Sequence, residues 1–281
     1  MKLIKPFQSC NQLLNDIKHA PADASRFHLW WLGQSGFLIK WGHQYCLTDP
    51  YLSDSLTIKY AQTDKQHIRM TELVIDPAKL DFVDVVTSSH NHTDHLDAET
   101  LLPMIQANPK LKLIIPEANR KFVTERLQMD PDFPIGLDNG LSTTVGGFKI
   151  TGLPAAHEEI ERDENGRLKH MSYLIQFGNW TVYHSGDTLV YDGMAAALKP
   201  YSVDVALLPI NGRSAERRVA GNMNAEEAVH LAKQIEAKLV IPHHFNMFTF
   251  NTADPADFIQ IAERAGQPQR VLQCGERWSG N

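Results

Sequence analysis

The chain has 281 residues, 43% of them hydrophobic and 21% charged, with a net charge of −6. That length and mix support a full hydrophobic core in one large domain or two average ones, and exclude a disulfide-held miniprotein, a collagen-like repeat and a disordered tail. The acidic balance argues against general nucleic-acid binding, which draws on a basic surface.

Residues 1–26 read as a polar leader with a weakly helical segment at Asn11–His19. Two apolar runs follow, Phe27–Leu32 and Phe37–Trp41, joined by Gly33-Gln34-Ser35-Gly36, and predict a β-hairpin. A third run, Tyr45–Thr48, stops at Asp49-Pro50, because Pro ends a strand. Residues 51–79 show no clean period and predict a long loop with room for one helix. Such loops in compact domains are often lids or binding loops. Val83–Ser88 predicts a buried strand that runs into the polar string 89–95, with a helix over Asp97–Gln106 after it. Further strands are predicted at Lys112–Ile115, Phe148–Leu153, Met171–Phe177, Thr181–Ser185, Val203–Leu208, Lys238–Ile241 and Arg270–Gln273. Helices are predicted at Glu117–Gln128, Ala225–Ile235 and Pro255–Ala265, with Asn224 and Asp254 as N-caps of the last two. No linker interrupts residues 27–281, so a single mixed α/β domain with more than one sheet is expected.

Three cysteines, Cys10, Cys46 and Cys274, make an odd number with no CxxC spacing, so neither a disulfide framework nor a thiolate zinc site follows. No signal peptide or membrane-length apolar run is visible, and a cytoplasmic location is expected.

Histidine is abundant, at 13 residues. His90-x-His92-x-Asp94-His95 places three imidazoles and a carboxylate directly after a strand. Crowding so many metal-competent groups is costly unless a cation satisfies them. The competing reading is a polar loop that caps the next helix through Asp94 or Asp97. One ion cannot easily use four ligands from so short a string, so two adjacent ions completed from other strand ends fit better. The candidates are His157 after the strand at 148–153, Asp187 in Ser185-Gly186-Asp187-Thr188, and His243 or His244 after Pro242.

This constellation resembles the metallo-β-lactamase superfamily. The string 90–95, His157, Asp187 in its Ser-Gly-Asp-Thr turn and His244 in Ile-Pro-His-His carry the likeness, with Trp30-Trp31-Leu32-Gly33-Gln34-Ser35-Gly36-Phe37 and Thr48-Asp49-Pro50 in support. Trp-Trp-Leu-Gly, Tyr183-His184-Ser185-Gly186-Asp187 and Val240-Ile241-Pro242 are similar to the L-ascorbate-6-phosphate lactonase branch. The resemblance spans roughly Phe27 to Phe258. It implies a four-layer αββα sandwich with a dimetal site at one edge. By position, His90, His92 and His157 would hold the first metal, Asp94, His95 and His244 the second, and Asp187 would bridge them. The family pattern selects His244 over His243, which becomes a supporting or pocket residue. Asp94, Asp187 and His244 are the expected catalytic residues. Imidazole and carboxylate donors suit Zn, Mn or Fe.

The implied activity is hydrolysis by hydroxide held between two divalent ions, on a small lactone such as a sugar-phosphate lactone. A phosphodiesterase or nuclease using the same site, and a metal-binding protein without catalysis, are the alternatives. Asp49 is placed to orient a ligand imidazole or to hold the motif loop. Substrate contacts are expected from Asn211 and Arg213 beyond the strand at 203–208, from Arg69 in the long loop, and from His243; Tyr51, Tyr60 and Met223 are further candidates to line the pocket. Arg217 and Arg218 read as solvated charges. The partner is a small molecule rather than a membrane or nucleic acid, and self-association into a homo-oligomer stays open.

Overall fold

In the computed structural model, which describes residues 2–218 and 221–280, the apolar runs assemble into two sheets. The first contains β1 (Phe27–Gly33), β2 (Gly36–Trp41), β3 (Gln44–Thr48), β4 (Val85–Thr87), β5 (Lys112–Pro116), β6 (Ile135–Leu137) and β13 (Arg277–Gly280), in the order β13-β1-β2-β3-β4-β5-β6. The second contains β7 (Ser142–Val145), β8 (Phe148–Pro154), β9 (Met171–Phe177), β10 (Trp180–His184), β11 (Val205–Pro209) and β12 (Leu239–His243), in the order β12-β11-β10-β9-β8-β7. Each sheet joins an antiparallel half to a parallel one. β3 through β6 are parallel in the first, and β10 through β12 in the second.

The inner faces meet through aromatic side chains. Phe27 on β1 packs edge-on against Phe177 on β9 with ring centroids 5.2 Å apart. The outer face of the first sheet is covered as well. Helix α1 (Cys10–His19) buries Leu13 and Ile17, one turn apart, while Asp16 accepts the Trp30 indole N–H at 2.8 Å. Lys40 on β2 points the same way and donates to the carbonyls of Ile17 and Ala20. Coverage on both faces explains why β1 reads as a continuous apolar run rather than an alternating one. Leu13 and Ile17 of the leader thus join the hydrophobic core.

Helices α2 (Ser55–Lys59) and α5 (Met194–Leu198) are short. Helices α3 (Ala98–Ala107) and α4 (Arg120–Leu127) are the crossovers between β4, β5 and β6. Helix α6 (Ala225–Gln234) packs on β11 and β12, and α7 (Pro255–Ala265) packs on α6, which completes the four αββα layers. Asn224 caps α6 in a reciprocal box with Glu227, and Asp254 caps α7 by accepting from the Ala256 N–H at 2.9 Å.

The predicted strand at Arg270–Gln273 does not form; the chain there meets β12 through an isolated bridge at Gln269, with the Arg270 N–H donating to the Val240 carbonyl at 3.0 Å. The last strand is β13, whose polar sequence hides it because it is a short edge paired only to β1. The helix predicted from Glu117 opens as a 3-10 turn before α4. Among the described residues, no helix is long and apolar enough to cross a membrane.

The topology has one consequence for chemistry. β3, β4, β8, β10 and β12 all run toward the same edge of the sandwich, so the residues that follow them are gathered there.

Candidate metal centre

The segment after β4 turns on itself: the N–H groups of His95 and Leu96 donate to the His92 carbonyl at 3.1 and 2.8 Å. This turn folds His95 back beside His90, with ring centroids 4.2 Å apart. His157 follows β8, where the Ala156 N–H donates to Thr188 Oγ1 at 2.8 Å and ties the ends of β8 and β10 together. Asp187 follows β10 behind Gly186, which has φ +57°. A Cβ at Gly186 would lie 2.7 Å from the Ser89 Cβ, so only glycine lets the two loops approach this closely. His244 directly follows β12, with φ +64°, and donates its backbone N–H to the Gln34 carbonyl at 3.1 Å.

These placements bring all seven predicted ligands together. Donor atoms of His90, His92 and His157 lie within 4.8 Å of one another, as do those of Asp94, His95 and His244, and those of His90, His95 and Asp187. Asp187 sits between the triads. Its Oδ1 is 3.2 Å from His95 Nε2, and its Oδ2 is 3.2 Å from His244 Nε2 and 3.8 Å from His157 Nε2.

Three buried atoms in the cluster, His90 Nε2, His95 Nε2 and Asp187 Oδ1, lack any hydrogen-bond partner. Burying unpaired polar atoms is costly, and divalent cations coordinated by nitrogen and oxygen satisfy them. The donor set therefore fits a metal centre.

The electrostatics separate the two triads. Burial pushes the His90 imidazole well below its ordinary pKa, and burial together with neighbouring His157 holds His92 down to about 4, so both stay neutral donors. Burial alone would lower His95 and His244, but the Asp187 and Asp94 carboxylates outweigh it. His95 rises well above its usual value and His244 to about 9. Burial would raise Asp187, yet the His244 and His95 imidazoles hold it well below the usual carboxylate range.

Asp49 lies behind this cluster, fully buried. Its Oδ2 is 2.7 Å from His95 Nδ1, and its Oδ1 accepts the Ser89 N–H at 3.0 Å. The Ser89 hydroxyl also bonds Asp49 Oδ2 and lies 3.0 Å from His90 Nδ1. A proton on His95 Nδ1 shared with Asp49 leaves Nε2 facing the centre. His157 is held similarly, with Nδ1 on the Gly221 carbonyl at 3.0 Å.

Five of the seven, His92, Asp94, His157, Asp187 and His244, floor a cavity of about 450 Å³. The long loop predicted at 51–79 supplies Lys59, Tyr60, Lys65 and His67 to its walls, and Phe122 and Arg126 face them from α4. Tyr60 was a sequence candidate for this wall; Tyr51 and Met223 are buried in the core.

The four expected substrate residues lie elsewhere. Arg213 is half exposed and makes a bidentate pair with Glu227, 2.8 Å on each arm, which anchors the start of α6. Asn211 is buried between Asn251 and Asn222. Arg69 is buried with its guanidinium bonded to Asp54, Thr71 and Ser53 over the Tyr51 ring, so its charge is paired within the protein rather than turned to the cavity. His243 points opposite to His244, as neighbours at a strand end do, and stacks on His184 between the sheets with ring centroids 5.4 Å apart. Lys59, Lys65 and Arg126 line the cavity and were not among the sequence candidates. Their only signal was that two of them fall in a long loop without periodicity.

Residues 28–244 match the beta-lactamase superfamily domain. The chain belongs to that superfamily. Within it, the chain belongs to the UPF0173 metal-dependent hydrolases. A member from Nanoarchaeum equitans is 31% identical over 211 residues, covering 73% of this chain and 90% of the relative. Another from Saccharolobus solfataricus is 28% identical over 251 residues, covering 88% and 96%. Among solved structures, the metallo hydrolase Igni18 of Ignicoccus hospitalis superposes with a TM-score of 0.67 at 24% identity, covering 91% of this chain and 99% of that one, which shows a shared fold. The metallo-β-lactamase resemblance read from the sequence is thus the chain's family; the lactonase branch is not singled out by these relatives.

Proposed function

We propose that this chain is a dinuclear metal hydrolase that opens a small anionic lactone or ester. The observation that supports this most is the convergence of seven nitrogen and oxygen donors, three of them with orphaned atoms, at the base of a cavity that five of the seven line and that Lys59, Lys65 and Arg126 wall. His90, His92 and His157 would hold one cation, and Asp94, His95 and His244 the other; Asp187, whose Oδ2 is near both His157 and His244, would serve both. A bound pair of divalent ions supplies Lewis acidity and lowers the pKa of water toward ~7. The donor set suits zinc or manganese, and iron less distinctively.

The chain's own residues do the remaining work. Lys59 and Lys65 bind the substrate's anionic group at the rim. Tyr60 and Phe122 flank its apolar part and exclude water. Asp49 keeps the His95 proton on Nδ1 and thereby fixes which ring nitrogen faces Asp187 and the other donors. No Ser or Cys is among the described residues lining this cavity, which fits hydrolysis without a side-chain nucleophile.

The test is a hydrolysis panel on metal-reconstituted protein, with sugar-phosphate lactones, their unphosphorylated counterparts, phosphodiesters and thioesters. Turnover of the phosphorylated lactone, removed by chelation and restored by zinc or manganese, supports the proposal. Turnover confined to phosphodiesters, or none at all with metal bound, overturns it.

A further inference from the structure

Gln34 is a buried polar side chain at the centre to which neither its sequence nor its family position assigns a role. It sits in the turn between β1 and β2, 1% exposed, with φ +48°. That left-handed backbone disfavours a residue with a Cβ. Glycines stand on either side of Gln34-Ser35, yet this position carries a long side chain.

The side chain has specific partners. Its carboxamide nitrogen donates to Asp94 Oδ2 at 2.8 Å. The same nitrogen is 2.9 Å from His244 Nε2 and 3.3 Å from His244 Nδ1. Similar distances to both ring nitrogens place the amide against the face of the imidazole. It is therefore out of the plane in which Nε2 presents its lone pair, and it does not compete for a cation. Its backbone carbonyl meanwhile accepts the His244 N–H and, at 3.0 Å, the Trp31 indole N–H.

Other ligands are oriented by different groups: His95 by Asp49, His157 by the Gly221 carbonyl, and His90 by the Ser89 hydroxyl. Asp94 and His244 have Gln34 in common, and Gln34 has no hydrogen bond to His90, His92 or His157 among the described residues. We infer that Gln34 is a positioning residue for one cation site only: its carboxamide fixes Asp94 and His244 relative to each other, so the Asp94–His95–His244 triad depends on a turn of the first sheet while the His90–His92–His157 triad does not. The inference rests on the two-cation reading above.

The test is titration of the metal-free protein with Zn(II) by calorimetry, with bound ions counted by elemental analysis. Gln34→Asn keeps an amide and suits the left-handed backbone better, but it is one methylene too short to reach Asp94. Gln34→Met keeps the length without the N–H. Both variants should bind one ion as tightly as the wild type and the second roughly ten- to a hundredfold more weakly, the usual effect of losing a group that orients a ligand. Thermal melting of the metal-free Asn variant should stay close to wild type. Two ions bound with wild-type affinities in both variants overturns the inference. So does parallel weakening of both ions, which marks Gln34 as general scaffold. A wild-type chain that takes up fewer than two ions overturns both this inference and the reading it rests on. A wild-type chain that binds two ions but hydrolyses nothing in the panel overturns the proposed function alone.

Discussion

The floor and the rim of the cavity are built by opposite means. The floor consists of residues in the segments that follow strands, mostly buried apart from His92, and several are tied to a second group that fixes their orientation. The rim comes from the segment 51–79 and from α4, with long side chains such as Lys59 left exposed. The contrast assigns metal affinity to the rigid sheets and substrate choice to the segments between them, as expected where function is carried on loops over a scaffold.

The largest effect should come from the floor. Asp187→Ala removes the carboxylate shared by both triads, so turnover should fall below detection and both ions should be lost; elemental analysis after gel filtration checks this. His92→Ala should abolish turnover and lower metal content, because it removes one donor of the first triad.

Asp49→Ala probes the layer beneath. It strands His95 Nδ1, the Ser89 N–H and the Ser89 hydroxyl in a fully buried site. Breaking a buried, hydrogen-bonded pair of this kind costs about 3–5 kcal/mol, and metal affinity should drop ten- to a hundredfold as an order of magnitude. Urea denaturation and metal titration measure the two losses separately. Wild-type values in both would dissolve the link between sheet rigidity and metal affinity.

The rim should respond differently. Lys59→Ala combined with Lys65→Ala should raise KM for a phosphorylated lactone by about tenfold, the low end for charge-assisted contacts at an exposed site, with little change in kcat or metal content. An equal loss on the unphosphorylated substrate would remove these lysines as the anion anchor.

The smallest effect belongs to Arg213→Ala. Its partner Glu227 is on the protein, and the pair is half exposed, so stability should fall by less than ~1 kcal/mol with turnover unchanged. A tenfold drop in kcat/KM would return Arg213 to the site.

The same division governs what could be read from the sequence. Met171–Phe177 and Pro255–Ala265 were predicted with the bounds they have, because apolar runs and a capping Asp254-Pro255 are local signals. The cluster of candidate donors was legible for a similar reason: each lies in the segment after a strand whose direction sets where that segment lands. Arg69, Asn211 and Arg213 were misplaced because their partners are remote in sequence or belong to a helix cap. Arg213 follows β11 yet serves α6, and Arg69 is absorbed by Ser53, Asp54 and Thr71. His243 was misplaced by one step of strand alternation, which turns it into the space between the sheets. Lys59 and Lys65 carry no local pattern that separates a cavity lysine from a solvated one.

The central claim is a two-cation centre shared through Asp187, and a crystal structure of the metal-loaded protein with anomalous scattering data tests it most directly. The account predicts two peaks about 3.5–4 Å apart, one against His90, His92 and His157 and one against Asp94, His95 and His244, with an Asp187 oxygen bonded to each. A single peak, or two peaks with Asp187 bonded to neither, would contradict it.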